Sequence, residues 1–387
     1  MLEGLPQSWA VAHAPDSKLW ISHREGDISI VDVSEKAIEN INTASPADAL
    51  LLKATRLSFT PNDLLTGGQG GLLDIAFHPD YSTNGWVYLS YSAGTDNANA
   101  LKIVRFKLSN ETTEPASHEQ TPADHLPVGQ VPEKKVSVGQ VETVFEVANK
   151  KDTPVHYGAR MAFTSNNELL VTTGDGFDYR EQAQVINNQL GKVLRMSDQG
   201  HALSSNPFYE QGGSAAYVYS LGHRNPQGLL VSKGSEPNSD IIVSHEHGPA
   251  GGDEINIIES GANYGWPVIT QGKDYIGATI SPFTEYPNMR QPALNWTPSI
   301  APSGMIFYRG NKLAELSEYL LLTSLKFKQI YAVNFNGQTL NNAKGDLVLL
   351  AQANSRLRDI ETDAQGNIWV LSDGEAASLM MLKRLPH

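Results

Sequence analysis

Cysteine is absent from all 387 residues of the chain. Its absence excludes disulfide bonds, thiolate metal centres and cysteine nucleophiles, and it is compatible with an oxidising compartment. Long apolar runs are absent as well, because no stretch approaches the roughly 18 residues that indicate a membrane-spanning helix. Residues 1–6 carry no secretory signal, although a trimmed mature protein would begin in the same way.

Positive charge is scarce. The chain has 29 lysines and arginines against 42 aspartates and glutamates, so its formal net charge is −13. Long nucleic acids are therefore excluded as partners, because they require a basic face. If the few cations are gathered in one place, they indicate a small anionic ligand.

Six segments of the chain share one pattern. In each segment an apolar run leads through a turn rich in Pro, Asn or Asp to a second run rich in β-branched and aromatic residues, which is typical of paired strands. The segments are anchored at Trp9, Leu73, Arg160, Asn225, Gly304 and Arg358.

This pattern predicts an all-β chain, a six-bladed β-propeller with blades of four antiparallel strands, as one domain over residues 1–387. An array of β-sandwiches is the alternative, but the copies are even in number and no linker separates them. Their unequal spacing predicts loop insertions, with a surface excursion over residues 110–141. Helical periodicity is weak and is best at residues 179–188 and 312–316.

A loop rich in glycine and proline covers residues 244–256 and continues to 263–267. Gly and Pro disfavour both helices and central strands, and such a loop turns backbone carbonyls towards a bound ion. Hard cations such as calcium take oxygen ligands of this kind. A tight turn with solvated acidic side chains is the alternative interpretation.

Polar residues recur at the start of several repeats, where the innermost strands of a propeller line its central channel. They are Gln69, His156, Arg160, Arg224, Asn225, Arg356 and Arg358, and Lys326 takes an equivalent position in a further repeat. Guanidinium groups bind carboxylates or phosphates, which predicts an anionic ligand in the channel. Ion pairs with Asp253 or Asp359 are the alternative. No glycine-rich phosphate loop opens a helix, which disfavours a nucleotide.

His156 is the candidate general base, because imidazole titrates near neutral pH and accepts a proton from an alcohol. A histidine that only forms a hydrogen bond at the start of a strand is the alternative. The residue types and spacing leave both readings open.

The ordered motifs resemble those of the soluble aldose sugar and glucose dehydrogenases that depend on pyrroloquinoline quinone (PQQ). They are residues 68–73 (GQGGLL), 77–80 (FHPD), 156–160 (HYGAR), 191–195 (GKVLR), 222–228 (GHRNPQG), 246–249 (EHGP), 253–256 (DEIN), 263–267 (NYGWP), 325–326 (LK) and 356–359 (RLRD). The resemblance spans nearly the whole chain, and the fold of that family is a six-bladed propeller.

The resemblance implies oxidation of an aldose at its anomeric carbon to a lactone, with hydride transfer to PQQ and electrons passed to an external acceptor. It assigns the general base to His156. It assigns PQQ binding to Gln69, Arg224, Asn225, Tyr275, Lys326, Arg356 and Arg358. Backbone carbonyls of Gly248 and Pro249 are implied to bind calcium beside the cofactor, and Glu254 and Tyr264 a further calcium. The three carboxylates of PQQ match the predicted cluster of cations.

The chain departs from the glucose-dehydrogenase branch of this family at three places. Val155 stands where that branch has an aspartate before the catalytic histidine, so another group must orient His156. The segment from Tyr275 to Trp296 is short and has no cysteine, and Trp296 lies one position before the aromatic residue expected over the substrate. These departures favour the aldose sugar branch and an open, permissive site.

The expected partners are small aldose sugars and an external electron acceptor, with no nucleic acid and no membrane insertion. A monomer in the periplasm or outside the cell is expected. Two other classes compete with this prediction: a calcium-dependent lactonase and a non-catalytic binding propeller. Neither requires the cations of the channel together with His156.

Overall fold

The computed structural model describes residues 2–43, 54–110, 136–234, 239–317, 319–335, 347–350 and 353–382. These residues form six small sheets, each of four antiparallel strands, arranged in a ring. The predicted all-β class and six-bladed propeller are confirmed. Among the helices of the described ranges, none combines the length and apolar character needed to cross a membrane.

The strands follow the chain blade by blade. The first blade holds β2 (Ser8–Ala14), β3 (Lys18–His23), β4 (Ile28–Asp32) and β5 (Ala54–Leu57), and the second holds β6 (Leu72–Phe77), β7 (Val87–Thr95), β8 (Ala98–Asn110) and β9 (Val136–Glu146). The third holds β10 (Gly158–Phe163), β11 (Leu169–Thr173), β12 (Lys192–Met196) and β13 (Val218–Leu221), and the fourth holds β14 (Pro226–Lys233), β15 (Asp240–Glu246), β16 (Asp253–Ile258) and β17 (Leu294–Trp296). The fifth holds β18 (Pro302–Phe307), β19 (Tyr319–Ser324), β20 (Ile330–Asn334) and β21 (Leu347–Leu350).

The sixth blade closes the ring with both ends of the described chain. It contains β22 (Leu357–Thr362), β23 (Ile368–Ser372) and β24 (Ala377–Met381), and its outermost strand is β1 (Leu2–Leu5). β1 pairs antiparallel with β24, with Leu2 opposite Leu379 and Leu5 opposite Ala377. The pairing covers an edge that a blade of three strands would leave open.

The core lies between neighbouring blades rather than inside one layer. One apolar cluster joins the first and sixth blades through residues such as Leu19, Ile21 and Trp369, and another joins the second and third through residues such as Tyr88 and Val171. Because each sheet is covered on both faces, the second strand of a blade is an apolar run without alternation. β11 and β23 are buried along their full length.

The six repeats correspond to the six blades. In each repeat the first run is the innermost strand and the second run is its neighbour, as in the pairing of β10 with β11 and of β22 with β23. Neighbouring innermost strands contact one another around the axis, as β10 does with β6 and β14. The repeat pattern therefore located the strands that line the channel.

Three local predictions need correction. Within residues 179–188 the structure has a single 3₁₀ turn, Arg180–Gln184, and within 312–316 it has Ala314–Leu316, because segments this short bury too few side chains to sustain an α-helix. The excursion predicted over 110–141 is wrong at both ends, where β8 includes residue 110 and β9 begins at 136. Residues 111–135 lie outside the described residues. The α-helices α1 (Glu35–Thr43) and α2 (Tyr81–Asn84) were not predicted.

A buried ion cluster ties the innermost strands together. Arg160 of β10 donates to both carboxylate oxygens of Asp359 on β22, at 3.2 and 3.1 Å, and to Oδ1 of Asp74 on β6, at 3.1 Å. Its Nε donates to the carbonyl of Gln227 on β14 at 2.9 Å, and its guanidinium lies over the ring of Trp9 on β2 at 4.3 Å. One side chain therefore contacts four other blades. Asp359, named as an alternative partner of the channel cations, pairs with Arg160, whereas Arg356 and Arg358 pair with Asp373.

Replacing Arg160 with Met should lower the free energy of unfolding by about 3–5 kcal/mol, because two buried carboxylates lose their cation. Urea denaturation measures this change. Arg290→Ala is the matched control, since Arg290 pairs with Glu259 on the exposed surface and such pairs contribute about 0–1 kcal/mol. Equal losses in the two variants would contradict a central role for Arg160.

Candidate active site

The loops at one end of the channel bring most of the predicted site residues together. Gln69, His156, Asn225 and Arg356 each lie just ahead of an innermost strand, and these strands start at the same end of the ring. A cavity of about 290 Å³ at this end is lined by Gln69, Asn225, Arg356 and Arg358, together with Trp9, Arg24, Leu73, Tyr157, Gly158, Gln227, His247, Ala301 and Leu325. A neighbouring cavity of about 220 Å³ is lined by His156, Arg224, Pro249 and Tyr275 among others.

His156 is held by two contacts from different directions. Its backbone N–H donates to Oε1 of Gln69 at 2.9 Å, which fixes a residue whose φ of +52° is unusual for a side chain with Cβ. Its Nδ1 lies 2.7 Å from Oδ1 of Asp175. A carboxylate at Nδ1 accepts a hydrogen bond from the N–H of that nitrogen, and Nε2 is then the unprotonated nitrogen that can accept a proton.

Asp175 is the group that orients His156, and the sequence analysis missed it. Its Oδ2 accepts a hydrogen bond from the indole of Trp266 at 2.7 Å, and its Oδ1 accepts one from the backbone N–H of Phe177 at 2.8 Å. The carboxylate is fully buried and therefore fixed in direction. It replaces the aspartate that Val155 does not supply.

Burial lowers the pKa of His156 below its ordinary value, because desolvation disfavours the imidazolium. Asp175 opposes this shift, while the positive charges of Arg224 and Lys151 add to it. The ring is accordingly neutral near pH 7, which is the form that a general base needs.

The larger cavity is strongly cationic. Arg24, Arg356 and Arg358 are among its lining residues, and no carboxylate side chain of the described chain is among them. Asp373 lies behind the cavity, where it accepts from Nε of Arg356 at 2.9 Å and from Nη2 of Arg358 at 2.9 Å. Three guanidinium groups facing one space fit a ligand with several carboxylates. Asp253, the other acid proposed to neutralise the cations, accepts backbone N–H groups elsewhere.

Arg224 links the two cavities to the glycine loop. Its guanidinium donates to the carbonyls of His247 and Gly248, at 3.0 and 2.9 Å, and to the hydroxyl of Tyr275 at 3.2 Å. Tyr275 is otherwise exposed. Lys326 follows Leu325 of the cavity wall but is itself exposed beside Phe327, so the structure does not place it in the lining.

The loop predicted over residues 244–256 is shorter than expected, because residues 244–246 belong to β15 and residues 253–256 to β16. Residues 247–252 remain as the connecting loop, and calcium binding there stays a prediction. Pro249 lines the cavity of His156. Gly248 is enclosed, because a Cβ there would lie 2.2 Å from the carbonyl oxygen of Gly251. The carbonyl oxygen of Gly248 accepts a hydrogen bond from Arg224. A carbonyl oxygen has a second lone pair, which can bind a cation. The loop therefore offers backbone oxygen atoms that could bind a hard cation such as calcium.

A second group of oxygen atoms lies on β15 and β16. Glu246 and Glu254 face each other across the two strands, and Nδ2 of Asn256 donates to both at 3.2 Å. Oδ1 of Asn256 is buried without a hydrogen-bond partner. Burial, followed by the charge of Glu246, raises the pKa of Glu254 to about 8. A buried carboxylate and a partly buried one, with an unpaired amide oxygen between them, fit a hard cation.

Tyr264 stands beside this group but directs its hydroxyl elsewhere. Its ring stacks on His223 at 4.8 Å, and Nδ1 of His223 lies 3.0 Å from Glu246. Its hydroxyl donates to the carbonyl of Ile257 at 2.5 Å and accepts from the N–H of Glu259 at 2.9 Å. No group of three His, Asp or Glu side chains arranged for a metal occurs among the described residues.

Comparisons with known proteins agree with this architecture. A family model described as Glucose / Sorbosone dehydrogenase matches residues 5–381. The aldose sugar dehydrogenase YliI of Escherichia coli is 32% identical over 82% of this chain and 78% of its own length. The quinoprotein glucose dehydrogenase B of Acinetobacter calcoaceticus is 26% identical over 96% of this chain and 84% of its own. The apo-form structure of the soluble E. coli aldose sugar dehydrogenase superposes with a TM-score of 0.80 at 30% identity, covering 98% and 97% of the two chains.

Replacing Glu254 with Gln should abolish any rise in melting temperature that calcium gives the wild type, because the cation loses a carboxylate ligand. A ligand at a hundred times its dissociation constant adds about 2.7 kcal/mol, or several degrees for a domain of this size. Thermal scans with calcium and with chelator measure the effect. Glu259→Gln, an exposed carboxylate of the same blade, is the control. A calcium response retained in the Glu254 variant would exclude this residue as a ligand.

Proposed function

Because the chain belongs to the Glucose / Sorbosone dehydrogenase family, we propose that it oxidises the anomeric carbon of aldose sugars to lactones. The proposed resident cofactor is PQQ with calcium beside it, and an external acceptor takes the electrons. Membership of this family makes the chain an oxidoreductase of the sugar-dehydrogenase type. The lactone product, the cofactor and the acceptor belong to the proposal.

One observation carries the proposal: the His156–Asp175 pair adjoins a cavity lined by three arginines at the same end of the channel. A proton acceptor alone suits many reactions, and a cationic cavity alone suits many anions. Their juxtaposition suits a reaction in which an alcohol loses a proton beside an anionic redox cofactor. A calcium-dependent lactonase or a binding propeller leaves the arginine-lined cavity without a ligand.

Residues of both cavities bind the cofactor in this proposal. Those assigned from the sequence are Gln69, Asn225, Arg356 and Arg358 of the larger cavity, with Arg224 and Tyr275 of the smaller one, and Arg24 joins the larger cavity. Lys326, also assigned from the sequence, lies outside both linings and would have to reach the cofactor from the exposed rim. When bound, PQQ supplies a two-electron acceptor that no amino-acid side chain offers, and calcium supplies a Lewis acid. Gly248 and Pro249 hold that calcium through backbone carbonyls, and Glu254 and Tyr264 belong to a further calcium site.

His156 and its neighbours provide the proton transfer. Nε2 of His156 accepts the proton of the anomeric hydroxyl, since Nδ1 is engaged with Asp175. The buried carboxylate of Asp175 stabilises the imidazolium that results, as in other histidine–aspartate pairs. Hydrogen bonds from the indole N–H of Trp266 and the backbone N–H of Phe177 fix the orientation of that carboxylate. Burial of His156 limits competition from water.

We further propose that the protein acts as a monomer on small sugars in the periplasm or outside the cell. The acidic net charge supports the exclusion of nucleic acid as a partner.

The proposal is tested by reconstitution. Protein stripped of cofactor and metal should be inactive and should oxidise glucose with a dye acceptor only when PQQ and calcium are added together. Visible absorption spectra before and after sugar then follow reduction of the bound cofactor. Full activity after exhaustive chelation and cofactor removal, or no activity with any aldose after reconstitution, would overturn the proposal.

The pH dependence of sugar oxidation should report His156. Because its pKa lies below 6.5, the wild-type rate should hold its plateau to below pH 6.5 and fall only at more acid pH, where the ring takes a proton. Asp175→Asn removes a charge that raises this pKa, so the acid limb should move to still lower pH while the plateau falls about 10²–10⁴-fold. Stopped-flow reduction of the bound cofactor by glucose measures both.

Two further variants complete this experiment. In the His156→Ala variant the plateau rate should fall by the same factor, and cofactor binding should be retained. Asp152→Asn is the control, because this exposed carboxylate on the nearby loop bonds Tyr179 instead of His156. A His156→Ala rate within about threefold of the wild type would exclude His156 as the base.

A further inference from the structure

The aromatic residue expected over the substrate is not Trp296. Its indole lies on the outermost strand of the fourth blade and packs towards Tyr331 of the fifth, with ring centroids 6.4 Å apart. It is not among the residues that line the cavity of His156. The aromatic side chains that do line this cavity, within the described chain, are Phe177, Trp266 and Tyr275.

Phe177 keeps a large part of its aromatic ring exposed in this cavity. Its ring meets His156 edge to face at a centroid distance of 5.2 Å, and 43% of the residue is exposed. Trp266 is buried and commits its N–H to Asp175. Tyr275 accepts a bond from Arg224 and lies parallel to Phe177, with centroids 6.4 Å apart. Phe177 therefore presents an open ring beside the proposed base.

The backbone holds Phe177 in a costly conformation. Its φ is +69°, in the left-handed region that bulky residues rarely adopt. Two bonds fix the turn: the N–H of Phe177 donates to Asp175 at 2.8 Å, and the carbonyl of Gly176 accepts from Thr153 at 2.6 Å. The same carboxylate therefore sets both the direction of His156 and the position of the ring. Strain of this kind is kept where the surroundings impose a functional geometry.

The rest of the cavity suits the edges of a sugar. A pyranose has faces of C–H groups and a rim of hydroxyls. An aromatic ring therefore stacks on its face, and charged side chains form hydrogen bonds with its hydroxyls. Asp178, Glu181 and Asp274 line the cavity beside Arg180, and counting Asp175 and Arg224 the lining has four carboxylates against two guanidinium groups. This excess of negative charge disfavours sugars that carry a carboxylate or a phosphate.

We propose that Phe177 is a specificity-determining residue that stacks on the pyranose ring of a neutral aldose and positions its anomeric carbon beside His156. This inference rests on the proposed function. Phe177 therefore has the role of the aromatic residue over the substrate, which Trp296 does not fill. The stacking residue comes from the third blade, next to the proposed base, and the fourth blade completes the cavity.

The test uses the reconstituted holoenzyme with Phe177→Ala, Phe177→Gly and Phe177→Tyr. The Ala and Gly variants should raise KM for glucose roughly three- to tenfold, while the Tyr variant, which keeps the ring, should stay near the wild-type value. PQQ titration and melting temperature should be unchanged, and the Gly variant, which adopts φ of +69° without strain, should melt no lower than the wild type. Glucuronate should show a KM at least tenfold above that of glucose.

Phe283→Ala is the matched control, since Phe283 is similarly exposed and packs on Tyr286 outside the cavity. Saturation-transfer NMR with methyl glucoside, which has no free anomeric hydroxyl, measures sugar binding apart from turnover. A loss of its signal in the Ala and Gly variants, but not in the Phe283 variant, supports the proposal. A KM and NMR signal within twofold of the wild type in both, or an equal loss in the control, overturns it.

Failure of this inference is distinguishable from failure of the proposed function. If the wild type oxidises aldoses and the Phe177 variants bind sugar normally, only the proposed role of Phe177 is refuted. If the reconstituted wild type oxidises no aldose, the proposed function is refuted. In that event a methyl glucoside signal that depends on Phe177 upholds the binding role, and a signal that does not depend on Phe177 overturns it.

Discussion

The guanidinium of Arg160 is the constraint on which the ring depends. The innermost strands of six blades must approach one axis, where apolar side chains alone would give no fixed rotation of one blade against the next. Arg160 supplies direction, because its planar fork has defined bonds to Asp74, Asp359 and the carbonyl of Gln227. Asp359 in turn accepts the N–H of Val11 at 2.9 Å. The fifth blade approaches so closely that a Cβ on Gly304 would lie 2.3 Å from Asp359.

The same strands position the site just ahead of their first residues. Once the innermost strands are fixed at the axis, the loops ahead of them are fixed at the channel end, and residues far apart in the chain meet there. The contact between Gln69 and His156 spans two blades, and that between Asp175 and Trp266 spans another two. No single blade holds a complete site. An acidic protein thereby concentrates positive charge in one cavity.

The sequence predicted the blades well because burial on both faces leaves a strong apolar signal in the first two strands of each repeat. It also located Gln69, His156, Asn225 and Arg356, which precede first strands. Arg24, Asp175 and Asp373 were missed, and each of them lies within two residues of the end of a second strand. In an antiparallel blade the second strand ends where the first begins, so these positions lie at the same end of the channel as the predicted residues. Examining both positions in every repeat would have found them.

Other features had no signal in the linear chain. The pairing of Arg160 with two acids and the position of Trp296 between blades depend on contacts across blades, which spacing along one strand does not reveal. The helix candidates failed for a related reason, because weak periodicity over a few residues does not show what the segment packs against. Glu254 was named from a motif, whereas its partner Glu246 emerges from the register of β15 and β16.

The pairing of β1 with β24 has a consequence for how the protein is made. β1 leaves the ribosome before every other strand of the ring, and its partner leaves after all of them. During synthesis the earliest strand therefore has no place to pair, while the blades between are completed in turn. The ring is open until the sixth blade has been synthesised, and the arginine-lined cavity, whose wall includes Arg24 and Arg358, is incomplete until then. A ligand that needs the whole cavity can therefore bind only after the last blade has been made.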